Sequence, residues 1–165
     1  MTLIAPAPLA DHHDLTSFGS GTASLDDWLK RRARANQATG ASRTYVVCED
    51  SRVVGYYALA SGAVKLPEAT GKFRRNMPDP IPVIVLGRLA IDRAWQGKGL
   101  GRALVRDAAQ RVLQAAEVIG ARGMLVHAIS EDAHRFYIAQ GFDPSPLDTM
   151  TLMVTLEDLR QALAE

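Results

Sequence analysis

The chain has 165 residues, 47% hydrophobic and 22% charged, which fits one globular domain with a sizeable core and excludes a disordered chain. Its formal net charge of +1 gives no global nucleic-acid signature, and its one cysteine, Cys48, cannot form an internal disulfide. No apolar stretch is long enough to span a bilayer, Leu3 to Leu9 lacks the length and basic flank of a signal peptide, and the four histidines lack ligand spacing, so a soluble cytoplasmic protein with no membrane and no metal is expected.

Thr2 to Ile4 reads as a short first strand. Ser24-Leu25-Asp26-Asp27 fits a capping box, and the helix it opens runs to about Asn36 with Leu25, Trp28, Leu29 and Ala33 as its apolar stripe. The other face carries Lys30, Arg31, Arg32 and Arg34, either a solvated face or a phosphate-binding patch. Gln37 to Ser42 is a polar loop. Arg43 to Glu49 and Arg52 to Val64 are strands joined at Asp50-Ser51, with Gly55 and Gly62 marking bulges or close backbone approach. Cys48 lies in an apolar run and reads as a buried thiol. Lys65 to Pro80, with Arg74-Arg75 inside it, is a long loop that either lies over a substrate or is mobile.

Val83 to Ile91 is mostly apolar, as in a strand covered on both faces. Gln96-Gly97-Lys98-Gly99-Leu100-Gly101 follows, then Leu100, Leu104, Ala108 and Val112 recur at helical spacing to about Ile119, where Gly120 suits a helix C-terminus. A glycine turn opening a helix is an anion site, because backbone N–H groups can approach closely and the helix start is electropositive. A pyrophosphate is the natural guest. A dinucleotide fingerprint fails at Arg102 and Leu104, and a P-loop fails because Lys98 is followed by Gly99. Arg122 to Ala128 is a second buried strand, so strand, helix and strand imply a right-handed crossover between parallel neighbours. Ser130 caps a helix with Glu131 and Asp132 in its first turn and Phe136 and Tyr137 on it, ending at Gly141. Phe142 opens a strand or turn broken by Pro144 and Pro146. Thr149 to Thr155 is strand-like, and Leu156 to Ala164 is a terminal helix.

Gln96-x-x-Gly99-x-Gly101 resembles the acyl-CoA loop of the GNAT acetyltransferase superfamily. Ser130-x-x-Ala133-x-x-Phe136-Tyr137-x-x-x-Gly141-Phe142 is similar to that superfamily's second hallmark, with Ser130 standing where many members have Asn. Met77 to Val83, Val85 to Ala90, Ser42 to Val46, Trp28-Leu29, Asn36-Gln37 and Gly55 to Leu59 resemble the GNAT toxins of bacterial toxin–antitoxin pairs. The resemblance implies a single α/β domain over 1–165. Its α+β mixed sheet has about six to seven strands flanked by helices, with the cofactor in a V-shaped opening beside Val83 to Ile91.

It also implies chemistry. Acetyl-CoA would bind through Leu89, Ala90 and Ile91, whose backbone pairs the pantetheine arm, and through Gln96, Gly97, Lys98, Gly99, Leu100, Gly101, Arg102, Ser130 and Phe136. Tyr137 is the candidate acid for the departing thiolate: a phenol of pKa about 10 is protonated at neutral pH, and a thiol resembling Cys sits near 8.5. The acceptor would be the α-amine of aminoacyl-tRNA, contacted by Lys30, Arg31, Arg34, Arg74, Arg75 and Arg88, with Arg106 as a further basic residue on the cofactor helix. Deprotonating an amine near pKa 7.7–8.0 at neutral pH costs about 1 kcal/mol, against roughly 4–5 kcal/mol for a lysine, so no tuned base is required. Asp92 and Glu131 are available but have plainer uses at a strand end and a helix start. The implied partners are a ribbon-helix-helix antitoxin and a second copy of the chain. The alternatives are a small-amine or protein N-acetyltransferase and a non-catalytic acyl-CoA-binding module.

Overall fold

Seven strands form one mixed sheet, β1 (Leu3–Pro8), β2 (Arg43–Glu49), β3 (Arg52–Val64), β4 (Ile81–Ile91), β5 (Gly123–His127), β7 (Thr151–Thr155) and β6 (Asp143–Pro144) in spatial order, flanked by helices, in the computed structural model, which describes residues 2–164. The chain divides into two compact units, one containing the chain up to Ala60 with Gly87–Asp107, the other Ser61–Leu86 with everything from Ala108 on.

In the first unit, β1 (Leu3–Pro8) and β2 (Arg43–Glu49) are antiparallel, as are β2 and β3 (Arg52–Val64). β1 is longer than Thr2 to Ile4, and its prolines are tolerated because it is an edge strand. The β2–β3 turn puts Asp50 at φ 57, a conformation that Asp accepts better than most residues. Gly55 meets both expectations. The register shifts beside it, and a Cβ there would lie 2.8 Å from Val47 Cγ1.

The capping box is not formed. The N-cap is Thr22, without a side-chain bond, and Asp26 instead accepts from the Ser20 amide and hydroxyl. Helix α1 (Ala23–Arg31) breaks at Arg32, and α2 (Ala33–Thr39) runs three residues past Asn36 to a left-handed Gly40. The apolar stripe stays in phase across the break. Leu25, Leu29 and Ala33 join Leu9, Phe18, Val46, Val53 and Tyr56 in one core, with Trp28 packed against it. Cys48 belongs to this core, and burial pushes its thiol pKa up, the state of an inert thiol.

In the second unit, β4 (Ile81–Ile91) contributes its first half, parallel to β5 (Gly123–His127) with Ile84 opposite Met124. β7 (Thr151–Thr155) is antiparallel to β5 and to the two-residue β6 (Asp143–Pro144). β4 is not covered on both faces along its length: Pro82 and Gly87 are exposed and Ile84, Val85, Arg88 and Leu89 half-buried. Gly123 is compelled by packing, since a Cβ would lie 1.9 Å from the Val154 carbonyl oxygen.

The segment Lys65 to Pro80 is neither featureless nor loose. It holds a single 3-10 turn at Leu66–Glu68 and a short α3 (Gly71–Arg74), capped by the Thr70 side chain accepting from Phe73 N–H. Phe73 and Ala69 anchor it in a core with Val64, Ile81, Val83, Leu125 and Met153. Arg122 clamps it, its Nε and Nη2 donating to the carbonyls of Phe73 and Lys72 at 2.8 Å each.

Helix α4 (Leu100–Ala115) stops four residues before Ile119, and Gly120 is not left-handed. Its buried residues end at Val112. Val118 and Ile119 are 90% and 68% exposed, so no apolar burial rewards a further turn. Helices α5 (Glu131–Ala139) and α6 (Leu156–Ala164) lie where the sequence put them.

Candidate active site

The glycine turn joins β4 to α4. Gly97 and Gly99 have φ of 75° and 83°, and a Cβ at either would meet nothing within 4 Å. The requirement for glycine here is therefore conformational, and the space beside the loop is open. The first intrahelical bond runs from Ala103 N–H to Gly99 carbonyl at 3.1 Å. The N–H groups of Leu100, Gly101 and Arg102 precede it and have no carbonyl to meet within the helix. Lys98 and Arg102 are exposed beside them, the Lys98 ammonium 5.1 Å from the Trp95 ring centroid. Converging donors and cations of this kind suit a pyrophosphate.

Gln96 does something else. Its Nε2 donates to the carbonyls of Ser20 at 2.7 Å and Ile91 at 2.9 Å, so its side-chain amide is committed within the protein. Asp92 is buried and accepts from Gly19 N–H at 3.1 Å and Ala94 N–H at 3.0 Å, which makes it a pin for the loop and leaves it unsuited to act as a base. Ala90 is buried, with Leu89 and Ile91 half-buried at the end of β4.

On α5, Ser130 is the N-cap, its Oγ accepting from Ala133 N–H at 3.1 Å. Gly141, at φ 97°, turns the chain after the helix. Tyr137 is buried between Phe136 and Phe142, both rings edge-on at centroid distances of 5.1 and 5.5 Å. Burial pushes the phenol pKa well above its usual value. The group is therefore a more firmly protonated, weaker acid than the ordinary phenol expected from the sequence. A thiolate leaving into equally apolar surroundings would have its own pKa raised by the same cause.

The basic residues are placed unequally. Lys30 and Arg31 are exposed in the last turn of α1, where a cation also suits the helix dipole. Arg34 is exposed but donates from Nη2 to the carbonyls of His13 at 2.7 Å and Ala10 at 3.3 Å. The Arg88 guanidinium lies 4.9 Å from the Trp28 ring centroid, which brings it together with α1. In the other unit, Arg74 and Arg75 are exposed at the end of α3. Sequence reasoning missed the bond from Tyr57 hydroxyl to the Asp107 carboxylate and the Arg88–Trp28 stack. The aromatic Tyr56-Tyr57 pair and a lone arginine in an apolar strand were the available signals. Among the described residues no cluster of His, Cys, Asp or Glu could hold a metal ion, and no helix is long and apolar enough to cross a membrane.

A central strand of a mixed sheet that feeds a left-handed glycine turn and an open helix start defines a protein built to hold an anionic ligand at that turn. The acetyltransferase (GNAT) domain family model matches residues 40–144, and the chain belongs to that family. It is 52% identical, over 98% of its length and 97% of the relative's, to a tRNA-acetylating toxin of Mycobacterium tuberculosis. Among solved structures it is similar to AtaT complexed with acetyl-methionyl-tRNAfMet, at 29% identity and a TM-score of 0.89 over 97% of this chain and 98% of that one. It is also similar to a mutant AtaT toxin bound to acetyl-CoA and the C-terminus of the antitoxin AtaR, at 28% identity and a TM-score of 0.85 over the whole of both chains.

Proposed function

We propose that this chain is a toxin that transfers an acetyl group from acetyl-CoA to the α-amine of aminoacyl-tRNA and so blocks translation. The observation that carries this reading is the likeness, along almost the whole chain, to a tRNA-acetylating toxin. It works as a single domain over 1–165, as a homodimer in the cytoplasm, and is neutralised by a ribbon-helix-helix antitoxin. The likeness to AtaT bound to its antitoxin AtaR supports an antitoxin as partner.

Acetyl-CoA supplies an activated thioester. Gly97, Gly99, Gly101 and the start of α4 hold the pyrophosphate with backbone N–H groups, and Lys98 and Arg102 add positive charge. The backbone of Leu89, Ala90 and Ile91 pairs the pantetheine arm as an added strand would, and the Ile91 N–H region polarises the thioester carbonyl. By the family resemblance, Phe136 and Ser130 of α5 are further contacts for acetyl-CoA. As the amine nitrogen bonds to the acetyl carbon and the carbon–sulfur bond breaks, Tyr137 gives its hydroxyl proton to the thiolate. The proton shed by the new amide passes to solvent, and Tyr137 takes a proton back from solvent before the next turnover. Lys30, Arg31, Arg34, Arg74, Arg75 and Arg88 contact the tRNA backbone, a salt-dependent interaction largely blind to sequence. Arg34 does so from the donors that His13 and Ala10 leave unused.

The test is acetyl transfer from labelled acetyl-CoA to bulk charged tRNA, with deacylated tRNA and free amino acids as controls. Label on charged tRNA alone is expected. Label on free amines or peptides but not on charged tRNA makes the chain a small-amine or protein acetyltransferase, and acetyl-CoA binding without transfer to any amine makes it a binding module.

A further inference from the structure

We infer that Gln96 is a positioning residue that sets the acetyl-CoA loop through the segment before α1, so that Asp26, remote from the loop in sequence, helps to fix cofactor affinity. The inference rests on the reading of Gly97 to Gly101 as the pyrophosphate loop.

Gln96 stands immediately before Gly97, and its one amide nitrogen spans two backbone carbonyls. The Ile91 oxygen belongs to the end of β4, while the Ser20 oxygen belongs to a turn 76 residues earlier in the chain. Gly97 and Gly99 have no side chains to hold the loop, so its position depends on what grips its ends. Ser20 is itself held: its N–H donates to both carboxylate oxygens of Asp26 at 3.1 Å and its hydroxyl donates to Oδ1 at 2.6 Å. The same turn is stitched to the loop's approach by Arg93 N–H donating to the Gly19 carbonyl at 2.9 Å and Gly19 N–H donating to Asp92. A relay therefore runs from the Asp26 carboxylate through Ser20 to the Gln96 amide and the first glycine of the loop. Only a side chain with two donors and no negative charge can bridge two carbonyls in this way.

The experiment is calorimetric titration of the intact protein with acetyl-CoA, without tRNA, beside thermal midpoints. Gln96 is exposed, so substitutions there leave the fold intact. Gln96→Glu and Gln96→Ala should weaken acetyl-CoA binding about ten- to thirtyfold, what two hydrogen bonds of ordinary net strength amount to. The thermal midpoint should fall only by the few degrees that two exposed hydrogen bonds are worth, leaving the protein folded at the titration temperature. Gln96→Arg, which keeps two donors, should recover most of the affinity. Asp26→Ala should weaken binding by itself, and adding it to Gln96→Glu should cost little more, because the two act through one relay. Wild-type affinity in Gln96→Glu, no recovery in Gln96→Arg, or full additivity of the pair would overturn the inference. Gly99→Val separates the two layers. Unchanged acetyl-CoA binding there removes the loop reading itself, whereas lost binding there with intact binding in Gln96→Glu removes only the role of Gln96.

Discussion

From Asp92 to Gly101 the chain is placed by polar bonds: a buried carboxylate accepting two amides, a glutamine amide spanning two carbonyls, and two glycines in a left-handed conformation. Around Tyr137 the means are different. The phenol ring is wedged edge-on between two phenylalanines, while the Ser130 cap bond holds the start of its helix. A segment that must offer bare N–H groups to an anion cannot be covered by apolar side chains, so directional bonds from its flanks hold it. A hydroxyl that must keep its proton gains from apolar cover, and the same packing that fixes the ring also raises its pKa. The two regions should therefore fail differently when altered: one by losing cofactor, the other by losing chemistry.

The largest effect should come from Tyr137→Phe. If the hydroxyl delivers the proton, kcat for acetyl transfer should fall by about 10²–10³-fold, within the range typical of a general acid, while acetyl-CoA affinity stays within about twofold. A small change in kcat would strip Tyr137 of its role. The pH profile sharpens the point. Burial raises the phenol pKa, and a raised acid keeps its proton to higher pH, so Tyr137 does not switch off in the mildly alkaline range. The rate should climb as the acceptor amine deprotonates, near pKa 7.7–8.0 or below, and show no descending limb up to about pH 9.5. A fall between about pH 8 and 9 would assign the proton to another group.

The glycine side of the comparison breaks at Gly99→Val. A β-branched residue at φ 83° is strained by roughly 1–2 kcal/mol, and its side chain fills the open space that the pyrophosphate needs. Acetyl-CoA affinity should drop by tenfold or more, measured by the same titration, with the thermal midpoint lowered only by the strain.

Much of this was legible because it is local. Arg43–Glu49, Arg52–Val64 and Leu156–Ala164 carry their own periodicity and turns, and Ser130 before two acids announces a capped helix. The break at Arg32 was not legible, since no glycine or proline marks it and the apolar stripe continues through it. Helix α3 was hidden because what orders it is tertiary, Phe73 buried in a core and Arg122 reaching its carbonyls from 49 and 50 residues away. The glycine loop could be read as an anion site from spelling alone. That Gln96 grips Ser20 could not, because the partner is a backbone carbonyl 76 residues distant and carries no sequence signal. Residues that hold ligands tend to cluster in motifs; residues that hold the motif need not.

Ser130 is where the two modes of holding meet, and it gives the smallest and most discriminating prediction. Its hydroxyl accepts from Ala133 N–H, so Ser130→Ala should remove an N-cap worth about 1 kcal/mol and lower the thermal midpoint by roughly 2–4 °C for a chain of this size. If capping is all it does, acetyl-CoA affinity and kcat should stay within about twofold. Ser130→Asn, an equally good cap, should restore the midpoint. It would also install the residue that many superfamily members carry there. A rise in acetyl-CoA affinity in Ser130→Asn beyond that of the unmodified chain would show that the longer amide reaches the cofactor and the serine does not. An affinity loss in Ser130→Ala larger than the cap explains would show that the serine reaches it too.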